Sequence, residues 1–160
     1  MQPALVIFDC DGVLVDSEPI AIRANMAVGP DLGWPITEAE VINRFVGRSA
    51  TSIAEVIADR LGRPAAAVWE RRFHELHTAA LATELTAVPG VSDVLDALDA
   101  AGVRYCVASS GTHEKMRGTL GGTGLYSRFV RRIFSMFCCP QRLRLSTGLG
   151  RSRGSVGLPR

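Results

Sequence analysis

Asp9 and Asp11 stand two residues apart, directly after the apolar run Leu5-Val6-Ile7-Phe8 and directly before Gly12. Two carboxylates in such a place suit group transfer from an anionic ester. An aspartate with an ordinary pKa of about 3.9 is ionised at neutral pH and needs no base to act as a nucleophile. What opposes its attack on a phosphate is charge repulsion, and a bound Mg2+ relieves that by neutralising charge and aligning both partners. A second carboxylate nearby can protonate the leaving oxygen and later deprotonate an attacking water. One short loop can therefore hold the parts for covalent catalysis in two steps. An isolated Asp-x-Asp pair also has a plainer use, as loop-capping residues, so its surroundings decide.

A second group of candidates is Ser109-Ser110-Gly111, which follows the apolar run from Val103 to Ala108. A hydroxyl and successive backbone N–H groups at a helix start form a ready phosphate site. Alone, the same triplet is usually just a helix cap. His74 and His77 lie three apart in a helical stretch and could pair on a metal. No further ligand cluster accompanies them, so a solvated or partly packed helix face is the expectation. His113 is assigned no catalytic role. The four cysteines, Cys10, Cys106, Cys138 and Cys139, match no zinc or Cys-x-x-Cys pattern; Cys10 and Cys106 read as small buried thiols.

The elements that must position these residues follow from pattern. Leu5–Phe8, a short continuous apolar run, and Val103–Ala108, apolar but for Arg104, read as buried parallel strands. Between them the periodicity is helical over residues 17–28, then after Thr37-Glu38-Ala39-Glu40, a capping-box start. Ser52-Ile53-Ala54-Glu55 repeats that signature loosely before a stretch closed by Gly62, and Pro64 opens a long Ala-rich helix to about Leu85. Val91, Val94, Leu95 and Leu98 fall on one helical stripe ending at Gly102. Another helix is predicted near His113–Leu120 and a short strand at Arg132–Ser135. Strand, helical insert, helix, strand, helix is the order of an α/β fold with a parallel sheet. Ligands bind such sheets at the carboxyl ends of the strands, where Asp9, Asp11 and Ser109 fall.

The string Asp9-Cys10-Asp11-Gly12-Val13-Leu14-Val15-Asp16-Ser17-Glu18 resembles the first motif of the haloacid dehalogenase superfamily, in the branch of β-phosphoglucomutases and phosphoglycolate phosphatases. Tyr105 to Gly111 is similar to that family's second motif, and the resemblance covers roughly residues 4–135. It implies an incomplete Rossmann-like α/β core from residues 1–16 and 87–135, an inserted α-helical cap from 17–86, and an irregular basic tail over 136–160. It implies Asp9 as nucleophile and Asp11 as general acid/base. Mg2+ would be held by Asp9 and Asp11, the latter through its backbone carbonyl. Ser109, helped by the Ser110 amide, would bind the transferring phosphoryl group. Arg48, in Gly47-Arg48-Ser49, lies where such caps often present substrate contacts, and equally reads as an exposed turn residue. The activity implied is Mg2+-dependent phosphoryl transfer from a small phosphorylated metabolite through an aspartyl-phosphate. A remnant that binds phosphate or metal without turnover is the alternative.

A family member would next supply a lysine for the phosphate charge, then a strand ending in acids that complete the metal site. Here no acidic residue follows Glu114 and no lysine follows Lys115. Residues 1–114 carry a net charge of −8 and residues 115–160 one of +10. Such a split commonly marks a nucleic-acid or membrane tail. No aromatic–basic interleaving or binding motif accompanies it, so no nucleic-acid partner is expected. Sudden loss of acids, Arg without Lys and no hydrophobic period point instead to a shifted reading frame near Ser135, with impaired turnover and an unpaired edge on the first strand. No apolar run approaches the ~18–20 residues that span a bilayer. The N-terminus lacks a basic stretch before its apolar run, so a cytoplasmic protein is the expectation.

Overall fold

The computed structural model describes residues 3–135, so the basic tail expected over 136–160 lies outside the described residues. The two apolar runs pair as parallel strands. β1 (Leu5–Phe8) lies beside β2 (Arg104–Ser109), with Leu5 opposite Arg104 and Phe8 opposite Val107. A third short strand, β3 (Ile133–Ser135), pairs parallel with the other side of β2, Ser109 opposite Ser135. The order β1-β2-β3 makes β1 an edge among the described residues. Leu5 and Ile7 on it remain 47% and 63% exposed, and an open strand edge is an invitation to pairing with another chain.

Between β1 and β2 the chain forms α1 (Glu18–Val28), α2 (Glu38–Arg44), α3 (Ala50–Leu61), α4 (Arg63–Glu84) and α5 (Val91–Ala100). After β2 comes α6 (His113–Gly122). The capping box is present in both halves: the Thr37 side chain accepts from the Glu40 amide, and the Glu40 carboxylate accepts from the Thr37 amide. The second helix start differs from its expected place. Ser49, in extended backbone, caps α3 by accepting from the Ser52 amide at 3.2 Å, because a cap must precede the helix whose free N–H groups it receives; Ser52 lies inside the first turn. Gly62, at a φ of 86°, ends α3 and begins α4 without a linker, a conformation that costs glycine nothing.

Two groups of buried side chains form. One gathers under the sheet from Leu14, Val15, Leu95, Tyr105, Val107, Met116, Leu120 and Phe129. The predicted stripe on α5 is narrower than its spacing suggests: Val91 and Leu95 are buried and Leu98 packs beside them, whereas Val94 stays 50% exposed on the outer flank. The other group joins the inserted helices through Val28, Trp34, Val41, Phe45, Ile57 and Trp69. Its aromatic rings meet at edges and tilts, Trp34 to Trp69 at 5.6 Å and Trp34 to Phe45 at 5.9 Å, with Arg60 stacked 4.5 Å above Trp34. The segments entering and leaving these helices bond to each other. Asp16 donates to the Thr86 carbonyl at 2.9 Å, Val88 to that of Leu14 at 3.1 Å, and Val15 and Ala87 form an antiparallel bridge. No helix among the described residues is long and apolar enough to cross a membrane.

Asn25 shows how the inserted helices are locked. Its amide oxygen accepts from the buried Trp69 indole at 2.9 Å, and its amide nitrogen donates to the Ala21 carbonyl at 2.9 Å. Asn25→Ala leaves a buried indole N–H without its acceptor. The expected loss of stability is about 1–3 kcal/mol, read as a lower urea midpoint with unchanged helix content; an unshifted midpoint would show that the bond carries no net stability.

Candidate active site

The register of β1 on β2 brings the two motifs together. With Phe8 opposite Val107, the next residue on one strand is Asp9, and two further on the other is Ser109. Both leave the sheet at its carboxyl edge. Asp9 is exposed there, and its Oδ1 accepts from the Cys10 amide at 2.7 Å. The chain then turns tightly: Leu14 and Val15 donate to the Cys10 carbonyl, and Gly12 donates to that of Val15 at 2.9 Å. Gly12 has a φ of 72°, and a Cβ there would come within 3.0 Å of Glu18 Oε1. The left-handed φ favours glycine, and any Cβ would also require the Glu18 side chain to shift.

That turn points the half-buried Asp11 toward two donors. Ser17 Oγ donates to its Oδ1 at 3.1 Å, and Lys115 Nζ to its Oδ2 at 2.8 Å. Lys115 sits in the first turn of α6, whose N-cap Thr112 accepts from the Lys115 amide at 3.2 Å. It is the only lysine in the chain, and motif spacing does not single it out because 104 residues separate it from its partner. A lone lysine among arginines, one helical turn past a strand-end Ser-Ser-Gly, is the signal that could have found it.

Ser109 is 5% exposed, and its Oγ accepts from the Gly111 amide at 3.1 Å. Ser135 Oγ donates to the Gly111 carbonyl at 2.6 Å, so β3 braces the loop. Ser110 is exposed at the same turn. Arg48 is exposed between α2 and α3 and joins no hydrogen bond or ion pair through its guanidinium among the described residues. His74 is exposed, while His77 is half-buried and stacked on Phe73, their centroids 5.0 Å apart.

No group of three or more His, Cys, Asp or Glu side chains is placed to hold a metal among the described residues. The exposed Asp9 carboxylate is an oxygen donor open to a cation, and the Asp11 carbonyl is the second donor that the family resemblance implies. Mg2+ fits such a pair, since it commonly takes one or two protein oxygens and completes its shell with phosphate and water.

Residues 6–135 match the model of the haloacid dehalogenase-like hydrolase family. A 6-phosphogluconate phosphatase of Escherichia coli is 32% identical over 131 residues, covering 81% of this chain and 58% of its own. A phosphoglycolate phosphatase of Caulobacter vibrioides is 30% identical over 114 residues, covering 69% of this chain and 48% of its own. Among solved structures, a hydrolase of the family from Deinococcus radiodurans with bound phosphate and sodium superposes with a TM-score of 0.67 at 27% identity, covering 82% of this chain and 57% of that one. The chain belongs to the haloacid dehalogenase-like hydrolases. It spans a little under six-tenths of the length of the E. coli relative, 58%.

Cys10, between the two aspartates, is 2% exposed. Burial, and then the negative charge of Asp11, push its thiol up to about 12. The thiolate is the reactive form, so Cys10 is expected to resist iodoacetamide at pH 8 in the native protein and to react once urea is added. Mass spectrometry of the Cys10 peptide reads the difference; rapid native labelling would show an open, ionisable thiol.

Proposed function

We propose that this chain is a Mg2+-dependent phosphatase of small phosphate monoesters, with Asp9 as nucleophile and Asp11 as general acid/base. The observation that carries the reading is the meeting of Asp9, Asp11, Ser109 and Lys115 at one end of the β1–β2 pair, where register and the Lys115–Asp11 bond converge. Relatives named for phosphogluconate and phosphoglycolate support the substrate class. The division into a core of residues 1–16 and 87–135 and a cap of 17–86 is supported by the two separate apolar groups and by the paired segments joining them.

In this mechanism a carboxylate oxygen of Asp9 attacks phosphorus, forming an aspartyl-phosphate as the bond from phosphorus to the ester oxygen breaks. Asp11 gives its proton to the leaving alkoxide. It then takes a proton from water, which attacks phosphorus and returns Asp9 as carboxylate with release of phosphate. Ser109 and the Ser110 amide orient the phosphoryl oxygens, and Lys115 turns from Asp11 to add positive charge beside them, leaving Asp11 free to carry the proton it transfers. Mg2+ held by Asp9 and the Asp11 carbonyl would neutralise charge between nucleophile and phosphate. Binding of phosphate without turnover is a second reading, favoured by the want of a third carboxylate for the metal among the described residues.

Asp9→Asn is expected to abolish hydrolysis of small phosphate esters with Mg2+, because an amide cannot form the acyl phosphate; full retention would remove Asp9 from the mechanism. Wild-type turnover is expected below the ~10 s−1 median of enzymes, and no release of phosphate by the wild type, with phosphate still bound, would favour the second reading. Lys115→Met is expected to lower kcat by about 10²–10³, the effect of one preorganised donor, with the circular dichroism spectrum unchanged. An unaltered kcat would place the lysine outside the chemistry.

A further inference from the structure

Gly111 is held through both of its backbone groups by serine hydroxyls. Its N–H donates to Ser109 Oγ at 3.1 Å, and its carbonyl accepts from Ser135 Oγ at 2.6 Å. The two serines lie opposite each other in the β2–β3 register, at the carboxyl edge of the sheet. Both are buried, Ser109 to 5% exposure and Ser135 to 4%. Gly111 precedes Thr112, the N-cap of α6. Its carbonyl therefore lies outside the ladder of helix hydrogen bonds, which begins with the carbonyl of the N-cap. Ser135 supplies the donor that the helix does not.

The two peptide groups flanking the Gly111 Cα are thus fixed separately, one by Ser109 and the other by Ser135. A glycine needs both restraints, since it has the widest choice of backbone conformations. The consequence reaches Ser109. A serine hydroxyl has one hydrogen to donate and two lone pairs with which to accept. The Gly111 N–H takes an acceptor position, and the Ser109 hydrogen donates to nothing among the described residues. The hydroxyl is left as a donor, the role that a phosphoryl oxygen requires. Gly111 also lies close to Lys115: a Cβ built on it would stand 3.5 Å from Ser109 Oγ and 3.3 Å from Lys115 Cδ. Movement of Gly111 would be felt by both side chains assigned to the phosphate.

We infer that Ser135 is a positioning residue for phosphate binding, acting through Gly111 on the Ser109 hydroxyl. Ser135 itself makes no contact with the phosphate in this arrangement. Its bond ties the loop to β3, so that Ser109 and the Ser110 amide meet the phosphoryl oxygens already aligned, without the ordering cost that a loose loop would bear. The inference rests on the phosphatase reading of the Asp9 site, in which Ser109 binds the phosphoryl group.

The test is calorimetry of the full chain with inorganic phosphate and Mg2+, on Ser135→Ala, Ser109→Ala and the double variant, with urea midpoints measured alongside. Ser135→Ala is expected to weaken phosphate binding about three- to tenfold, the range of one hydrogen bond. In the Ser109→Ala background the same change is expected to cost no more than about twofold, because residues that act through one another are not additive. Ser135→Thr, which keeps the hydroxyl, is expected to stay within about twofold of the wild type. Ser135→Cys, a weaker donor, takes the place of Ser135→Ala in the cycle if the Ala variant unfolds. If Ser109→Ala binds too weakly to read, the comparison of Ser135→Ala with Ser135→Thr decides the matter. A lower urea midpoint with unchanged phosphate affinity would make Ser135 a staple of β3 and overturn the inference. So would the same fractional loss with and without Ser109, or an equal loss in the Thr and Ala variants. Failure of the wild type to bind inorganic phosphate overturns the Asp9-site reading and this inference with it.

Discussion

The parallel pairing of β1 with β2 is the constraint on which the site rests. Asp9 and Ser109 are 100 residues apart in sequence, and they share one sheet edge because Phe8 lies opposite Val107. A slip of one residue would turn every side chain of β1 to the other face. It would also bury Asp9 or withdraw it from the edge. What holds the register is burial on the covered side: Val6 and Phe8 pack against the group that contains Tyr105, Val107 and Phe129, while Leu5 and Ile7 face outward. Edge-to-face contacts of Phe8 with Tyr105 at 6.2 Å and with Phe129 at 6.3 Å add direction to that burial. The meeting of Asp9 and Ser109 at one edge thus depends on an aromatic contact that involves neither of them.

Most of the scaffold was legible because its signals are local. Four apolar residues ending in Asp-x-Asp-Gly mark a strand and its exit; Thr37 and Glu40 specify a helix start within one turn; Gly62 and Gly102 close helices. The strand at residues 133–135 was legible for the same reason, as a short apolar run. The helix start at Ser49 was not, since Ser49 and Ser52 both fit a loose cap pattern, and only backbone geometry at Ser49 separates them. Val94 misled because periodicity reports which residues share a stripe and not how wide a surface awaits it.

The site divides along the same line. Asp9, Asp11 and Ser109 belong to segments whose neighbours announce them. Lys115 belongs to a helix whose pattern is satisfied without it, and its relation to Asp11 is tertiary. Lys115 reaches Asp11 across the gap between α6 and the β1 loop. His77 lines the cavity between α4 and α6, on a helix whose other end packs Ala66 and Trp69 into the helical insert. One long helix therefore ties the aromatic packing of the insert to the cavity wall opposite Lys115.

The insert enters and leaves through segments bonded to each other, Leu14 to Val88 and Asp16 to Thr86. Its two ends are thereby fixed side by side whatever lies between them. Chain-closure entropy grows only with the logarithm of loop length, so residues can be added to or lost from the insert at little cost to the strands beneath. A scaffold joined in this way lets the inserted helices be exchanged by evolution while the strands and their carboxyl-end loops stay as they are.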